Sequence, residues 1–131
     1  MPGYSKRTLF QKLGLKPGMH IHIRNAPKDY LSTLNLPKSI NPSSLKGTLD
    51  FIQIFVDSLD HLKKEFPKAK ACLSKAGMLW VSWAKKSSPL YTDLTDNLVR
   101  EVGTQSGLVD VKVCAVTEDW SGLKFVYRLE D

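Results

Sequence analysis

The side chains able to do chemistry in this chain are few and scattered along its 131 residues. His20 and His22 have the spacing of an H-x-H metal pair on one strand face. A zinc site needs a third or fourth ligand. His61, the remaining histidine, falls on a helix away from its apolar stripe, and Cys72 and Cys114 supply no matching pair, so no metal site is expected. Ser82 lies inside an apolar run without the G-x-S-x-G turn that exposes a nucleophilic serine, and neither thiol has an evident base. No catalytic residue is therefore assigned. Trp80 and Trp83 fall on opposite faces of one strand and cannot line one pocket; Trp120, in a turn, is the tryptophan best placed for a contact surface. What remains is a polar set: Asn25, Asp57, Lys85, Lys86, Thr92 and Asp93. Brought together, an amide, two carboxylates, two ammonium groups and a hydroxyl could hold a small anion or a nucleotide.

The elements that must position this set centre on residues 49–86, LDFIQIFVDSLDHLKKEFPKAKACLSKAGMLWVSWAKK. Phe51–Val56 and Met78–Trp83 are short, apolar and rich in β-branched and aromatic residues, as strands covered on both faces should be. Between them Leu59, Leu62, Phe66, Ala69 and Leu73 recur at helical steps, with Lys64, Lys68 and Lys75 opposite. Asp57 or Ser58 is placed to cap this helix, Pro67 to kink it, and Gly77 to mark the exit from it. The unit reads as strand, helix, strand in a parallel sheet, joined by a right-handed crossover.

Upstream, Ser5–Leu13 predicts a short helix capped by Ser5 and ended by Gly14, Met19–Ile23 a strand, and Pro27–Leu34 a second short helix. Residues 35–48, NLPKSINPSSLKGT, read as a loop or as a short edge strand near Ile40. Downstream, Thr95 caps a helix ending before Gly107, with Leu94 and Val99 as a staple. Val109, Val111, Val113 and Ala115 alternate on one strand face; Leu123, Phe125, Tyr127 and Leu129 do so on the next, joined through Glu118–Gly122 as a hairpin. The fold class is α/β: one three-layer Rossmann-like domain over 1–131, with a mostly parallel sheet of five or six strands and an antiparallel C-terminal hairpin. In such a sheet ligands sit beyond the strands' C-terminal ends, at the switch point expected between Met19–Ile23 and Phe51–Val56. That is the rim carrying the polar set.

Composition sets limits on function. The hydrophobic fraction of 42% and charged fraction of 24% are those of an ordinary globular protein. No apolar run approaches a membrane span and the N-terminus has no signal-peptide core, so a cytoplasmic location without membrane contact is expected, and the cysteines read as small buried thiols. The net charge of +6 is uneven: residues 1–89 carry 15 Lys/Arg against 5 Asp/Glu, and residues 90–131 carry 4 against 8. Such asymmetry suits an anionic partner, a nucleotide, nucleic acid or acidic protein, though no nucleic-acid motif accompanies it.

KLGLKPGMHIHI, LSKAGMLWVSW and the terminal hairpin resemble a shortened version of the S-adenosylmethionine-dependent methyltransferase fold. WVSWAKK, TDLT, GLVDVKVCAV and WSGLKF are similar to a family of small bacterial proteins classed as a domain of unknown function, a resemblance that implies a Rossmann-like fold and no assigned activity. The methyltransferase resemblance implies a glycine-rich loop after the first strand and an acid ending the second. Here Arg24–Tyr30 contains no glycine, Pro27 stiffens it, and no second strand is evident. No cofactor is therefore expected. Three readings stay open: a non-catalytic module binding a small anionic ligand or a protein, a divergent methyltransferase, and a nucleic-acid-binding protein using its lysine-rich part. Oligomeric state is not encoded legibly.

Overall fold

The computed structural model describes residues 8–37, 40, 42 and 44–128. Among these described residues nine elements follow in order: α1 (Leu9–Leu13), β1 (Ile21–Arg24), α2 (Tyr30–Leu34), β2 (Leu49–Phe55), α3 (Leu59–Ala71), β3 (Leu73–Ala84), α4 (Asp96–Gln105), β4 (Leu108–Ala115) and β5 (Trp120–Tyr127). The five strands form one sheet in the order β1-β2-β3-β5-β4. β1, β2 and β3 are parallel neighbours, while β5 runs antiparallel to both β3 and β4.

Two apolar clusters, one per sheet face, make this a three-layer sandwich. On one face Leu62, Phe66 and Ala69 of α3 and Val99 of α4 cover Ile52, Ile54, Leu79, Val81, Leu123 and Phe125. The Phe66 and Phe125 rings meet edge to face, 5.5 Å apart. On the other face Leu13, Tyr30 and Leu34 cover Ile21, Phe51, Phe55 and Trp80. Trp80 is fully buried and its Nε1–H donates to the Leu13 carbonyl at 2.9 Å, which pins the end of α1. Trp83 lies in the opposite cluster, as the alternation requires. Trp120 opens β5 and packs edge to face on Phe55 at 5.1 Å, closing one end of the core. Cys72 and Cys114 pack on different faces and both thiols are free.

Several local expectations need correction. Ser5 lies outside the described residues; α1 begins at Leu9 on a Thr8–Gln11 capping box, ended by Gly14 at φ 85°. α2 starts at Tyr30 rather than Pro27. Ile40 is buried without belonging to a strand, and Leu129 lies outside the described residues. α3 runs through Pro67 as one helix and ends at Ala71, so Leu73 and Lys75 belong to β3. Gly77 is therefore a strand residue, and its role is close approach: a Cβ there would stand 2.9 Å from the Asp50 carbonyl oxygen. In β4 the register passes from Asp110↔Phe125 to Lys112↔Lys124, leaving Val111 as an extra residue. That bulge breaks the expected valine face. Val113 pairs with Leu123 on the α3/α4 side, Val109 pairs with Val126 on the other, and Val111 and Val113 stand 51% and 47% exposed at the end of the sheet order.

Gly103 of α4 separates two opposing effects. In a solvated helix, Gly→Ala stabilises by about 1 kcal/mol. Here the added methyl would stand 2.0 Å from the Phe125 ring. Gly103→Ala should lower unfolding stability in chemical denaturation by about 1–3 kcal/mol, the range for overpacked cores. An increase would show that the α4–β5 packing is looser than described.

Candidate functional site

The site grows from the places where β1 and β2 end. β1 leads into α2 on one face, and β2 leads into α3 on the other. Strand order does not reverse between them, contrary to the expected switch, because β1 stands at the end of the order with no further strand outside it among the described residues. In the common doubly wound order two strands lie there. The connections nevertheless leave adjacent parallel strands towards opposite faces, the arrangement that in open α/β sheets makes a crevice beyond the strand ends.

Asn25 turns the chain out of β1 at φ 60°, and Asp29 repeats the left-handed conformation at φ 67° before α2. Asn and Asp tolerate this region best after glycine. The loop thus makes, without glycine, backbone turns for which glycine looked necessary. It is held at its far end by a buried relay: the Tyr30 hydroxyl donates to Gln53 Oε1 at 2.7 Å, and Gln53 Nε2 donates to Ser82 Oγ at 3.1 Å. Burial raises the Tyr30 pKa, so the phenol stays protonated and remains the donor.

Across the crevice Ser58 caps α3 by accepting from the His61 N–H, and the His61 ring faces the rim. Its Nδ1 accepts from the Asp57 N–H at 3.2 Å and lies 3.1 Å from Asp57 Oδ1. Its Nε2 lies 3.3 Å from the Asn25 amide. The neutral ring can take the backbone N–H; the protonated ring can instead donate to the carboxylate. Thr92 donates to the Asp57 carbonyl, and Asp93 Oδ1 accepts from the Leu59 N–H at 3.2 Å, tying the β3–α4 loop to α3. Asn25 and Asp57 therefore contact His61, and Thr92 and Asp93 bond to the same turn through Asp57 and Leu59, with the Asp57 carboxyl side chain 74% exposed. Lys85 and Lys86 stand apart from them. They line an open pocket of about 390 Å³ with Trp83, Leu94, Asn97 and Ser121. Among the described residues no group of three or more His, Cys, Asp or Glu side chains could hold a metal ion, and no helix is long and apolar enough to cross a membrane.

Sequence reasoning weighed His61 only as a metal ligand and not as a rim residue, although its placement three residues after Ser58 and four after Asp57 was the available signal. It also missed Arg24 and Glu65, which have no local signal. Arg24 Nε donates to Glu65 Oε1 beneath the crevice, linking β1 to α3, and Lys68 lies 3.7 Å from the same carboxylate. Burial pushes the Glu65 pKa up; the Arg24 hydrogen bond and charge, with Lys68 and His61, outweigh it and hold the group below its usual value.

No family model and no curated protein matches the sequence. Solved structures do match the fold. A Sulfolobus solfataricus protein described as a type 11 methyltransferase superposes with a TM-score of 0.63 at 16% identity, covering 94% of this chain and 91% of that one. Magnesium protoporphyrin IX methyltransferase from Synechocystis PCC 6803, with S-adenosylmethionine bound, gives 0.63 at 10% identity over 92% and 74%. An S-adenosylmethionine-dependent methyltransferase from Aquifex aeolicus gives 0.60 at 14% over 89% and 86%. The likeness is one of fold: the sheet is Rossmann-like and methyltransferase-like.

Because Glu65 is only 8% exposed and titrates low, it contributes stability above the unfolded carboxylate range and loses it as pH falls through the folded value. Glu65→Gln should flatten the loss of stability on acidification from neutral pH, and at pH 7 should cost about 3 kcal/mol, the lower end for breaking a buried pair, since Arg24 is one-third exposed. Parallel stability–pH curves for the two proteins would contradict this role.

Proposed function

We propose that this chain is a divergent S-adenosylmethionine-dependent methyltransferase domain that binds its cofactor in the crevice where β1 and β2 end. The observation carrying this reading is the left-handed exit from β1 at Asn25, facing the exposed Asp57 carboxylate at the end of β2. It lies on a sheet that superposes on methyltransferases over most of this chain, one of them with S-adenosylmethionine bound. The residues fit such a ligand in two respects. The Asn25–Asp29 turns supply a backbone path of the kind glycines usually make, and Asp57 can accept from sugar hydroxyls or an ammonium group. When bound, S-adenosylmethionine supplies an electrophilic methyl group. The polypeptide's part is to orient it and exclude water. His61 stands between Asn25 and Asp57, but with Nδ1 accepting from the Asp57 N–H its Nε2–H meets the Asn25 amide nitrogen donor to donor at 3.3 Å, a contact that is easily given up.

A second reading, a ligand-binding module without methyl transfer, is favoured by Pro27 and by the position of β1 at the end of the sheet order, with no acid-ended strand on its outer side among the described residues. On that reading the same crevice takes a nucleotide or small anion.

Calorimetry with S-adenosylhomocysteine tests the shared premise and labelled-methyl transfer separates the two. Saturable heat with a submillimolar Kd is expected, weakened about tenfold by Asp57→Ala for the loss of one charge-assisted contact. No heat at millimolar ligand would exclude the methyltransferase reading.

A further inference from the structure

A second polar feature lies away from the crevice, on the sheet face that carries α1. Lys112 of β4 and Lys124 of β5 are direct partners across the antiparallel ladder. Like charges placed opposite one another destabilise a sheet. Lys12, in the last turn of α1, is a third cation: it and Lys112 both act on the Cys114 thiol between them. The Lys124 ammonium reaches to 3.9 Å from where a Cβ at Gly14 would stand, just past the end of α1. Three ammonium groups from three elements thus face one region. None of them is in an ion pair among the described residues, and the one carboxylate of β4, Asp110, lies on the opposite sheet face, where Arg100 holds it at 2.9 Å. Burial and the charge of Lys112 hold the Lys124 pKa below the usual lysine range, the signature of a cation short of counter-charge.

We propose that Lys12, Lys112 and Lys124 form a binding site for a phosphate group. Three point-charge donors on separate elements suit clustered phosphate charge, either a terminal phosphate with three non-bridging oxygens or successive monoanionic phosphodiesters, better than a single carboxylate, which is recognised best by the planar fork of arginine. The phosphate can belong to a free polyphosphate or to a nucleic-acid backbone. The site is independent of the β1–β2 crevice and stands whether or not a methyl donor binds there.

The test uses the full chain, with tripolyphosphate and a short single-stranded oligonucleotide as probes in parallel titrations over a range of salt. Lys112→Ala and Lys124→Met, which keeps the apolar stem, are compared with Lys63→Ala on the solvent side of α3. Each site variant should weaken binding several-fold and lower the slope of log affinity against log salt by about one, with Lys63→Ala unchanged. Tighter binding of the oligonucleotide at equal charge assigns the phosphate to nucleic acid; equal or weaker binding assigns it to a free polyphosphate. Without ligand, Lys112→Ala should raise the melting temperature by relieving the like-charge pair. Equal effects from all three variants, no binding of either probe, or a melting temperature lowered by Lys112→Ala would overturn the proposal.

Discussion

A buried amide in the middle of β2 constrains much of this molecule. Gln53 is fully buried in a strand whose other buried residues are apolar, and its side chain must find both a donor and an acceptor inside the core. Tyr30 of α2 supplies one and Ser82 of β3 the other. The requirement is costly to leave unmet, about 1–3 kcal/mol for one orphaned buried polar group. It selects the face on which α2 docks and the place where α2 begins. The loop between β1 and α2 is then held at both ends, which accounts for its two left-handed residues.

From that constraint the arrangement of the crevice follows. With α2 on one face and α3 on the other, the ends of β1 and β2 diverge, and Arg24–Glu65 ties the two layers together below the opening. Above it, Asn25, His61, Asp57 and Thr92 make a chain of contacts that is well connected but weakly bonded at the Asn25–His61 step. Such a rim is ordered before a ligand arrives and can give up one partner at low cost. Lys85 and Lys86, one strand further along, face a separate open pocket. A ligand in the crevice would meet carboxylate, amide and imidazole, while the two ammonium groups would meet only something that extends across β3.

Much of the fold was legible because its signals are local. The apolar runs of β2 and β3, the α3 stripe, the Thr95 cap and the C-terminal hairpin depend on neighbours within a few residues. Boundaries failed where a long-range contact intervened. Leu73 fits the helical stripe, yet it starts β3, because pairing with Leu49 is stronger than continuing past Cys72. Val109, Val111 and Val113 alternate perfectly, but one extra residue in β4 puts the first and last on opposite faces. Gly77 looked like a helix exit and is instead a point of backbone contact across the sheet. The candidate rim was legible as a set of positions at strand ends. Its centre, His61, was hidden by its helical context, and Arg24–Glu65 joins residues far apart in the chain. The missing glycines bear on close approach rather than on turning: Asn25 and Asp29 reach the left-handed region, but each carries a side chain that glycine lacks.

The central claim is that a nucleoside-type ligand binds where β1 and β2 end. Mapping backbone amide chemical shifts on titration with S-adenosylhomocysteine tests it directly. The account predicts saturable changes confined to Arg24–Tyr30, Asp57–His61 and the Thr92–Asp93 segment, with the ladder around Lys112 and Lys124 unmoved. Changes centred anywhere else, or a spectrum unaltered at millimolar ligand, would contradict it.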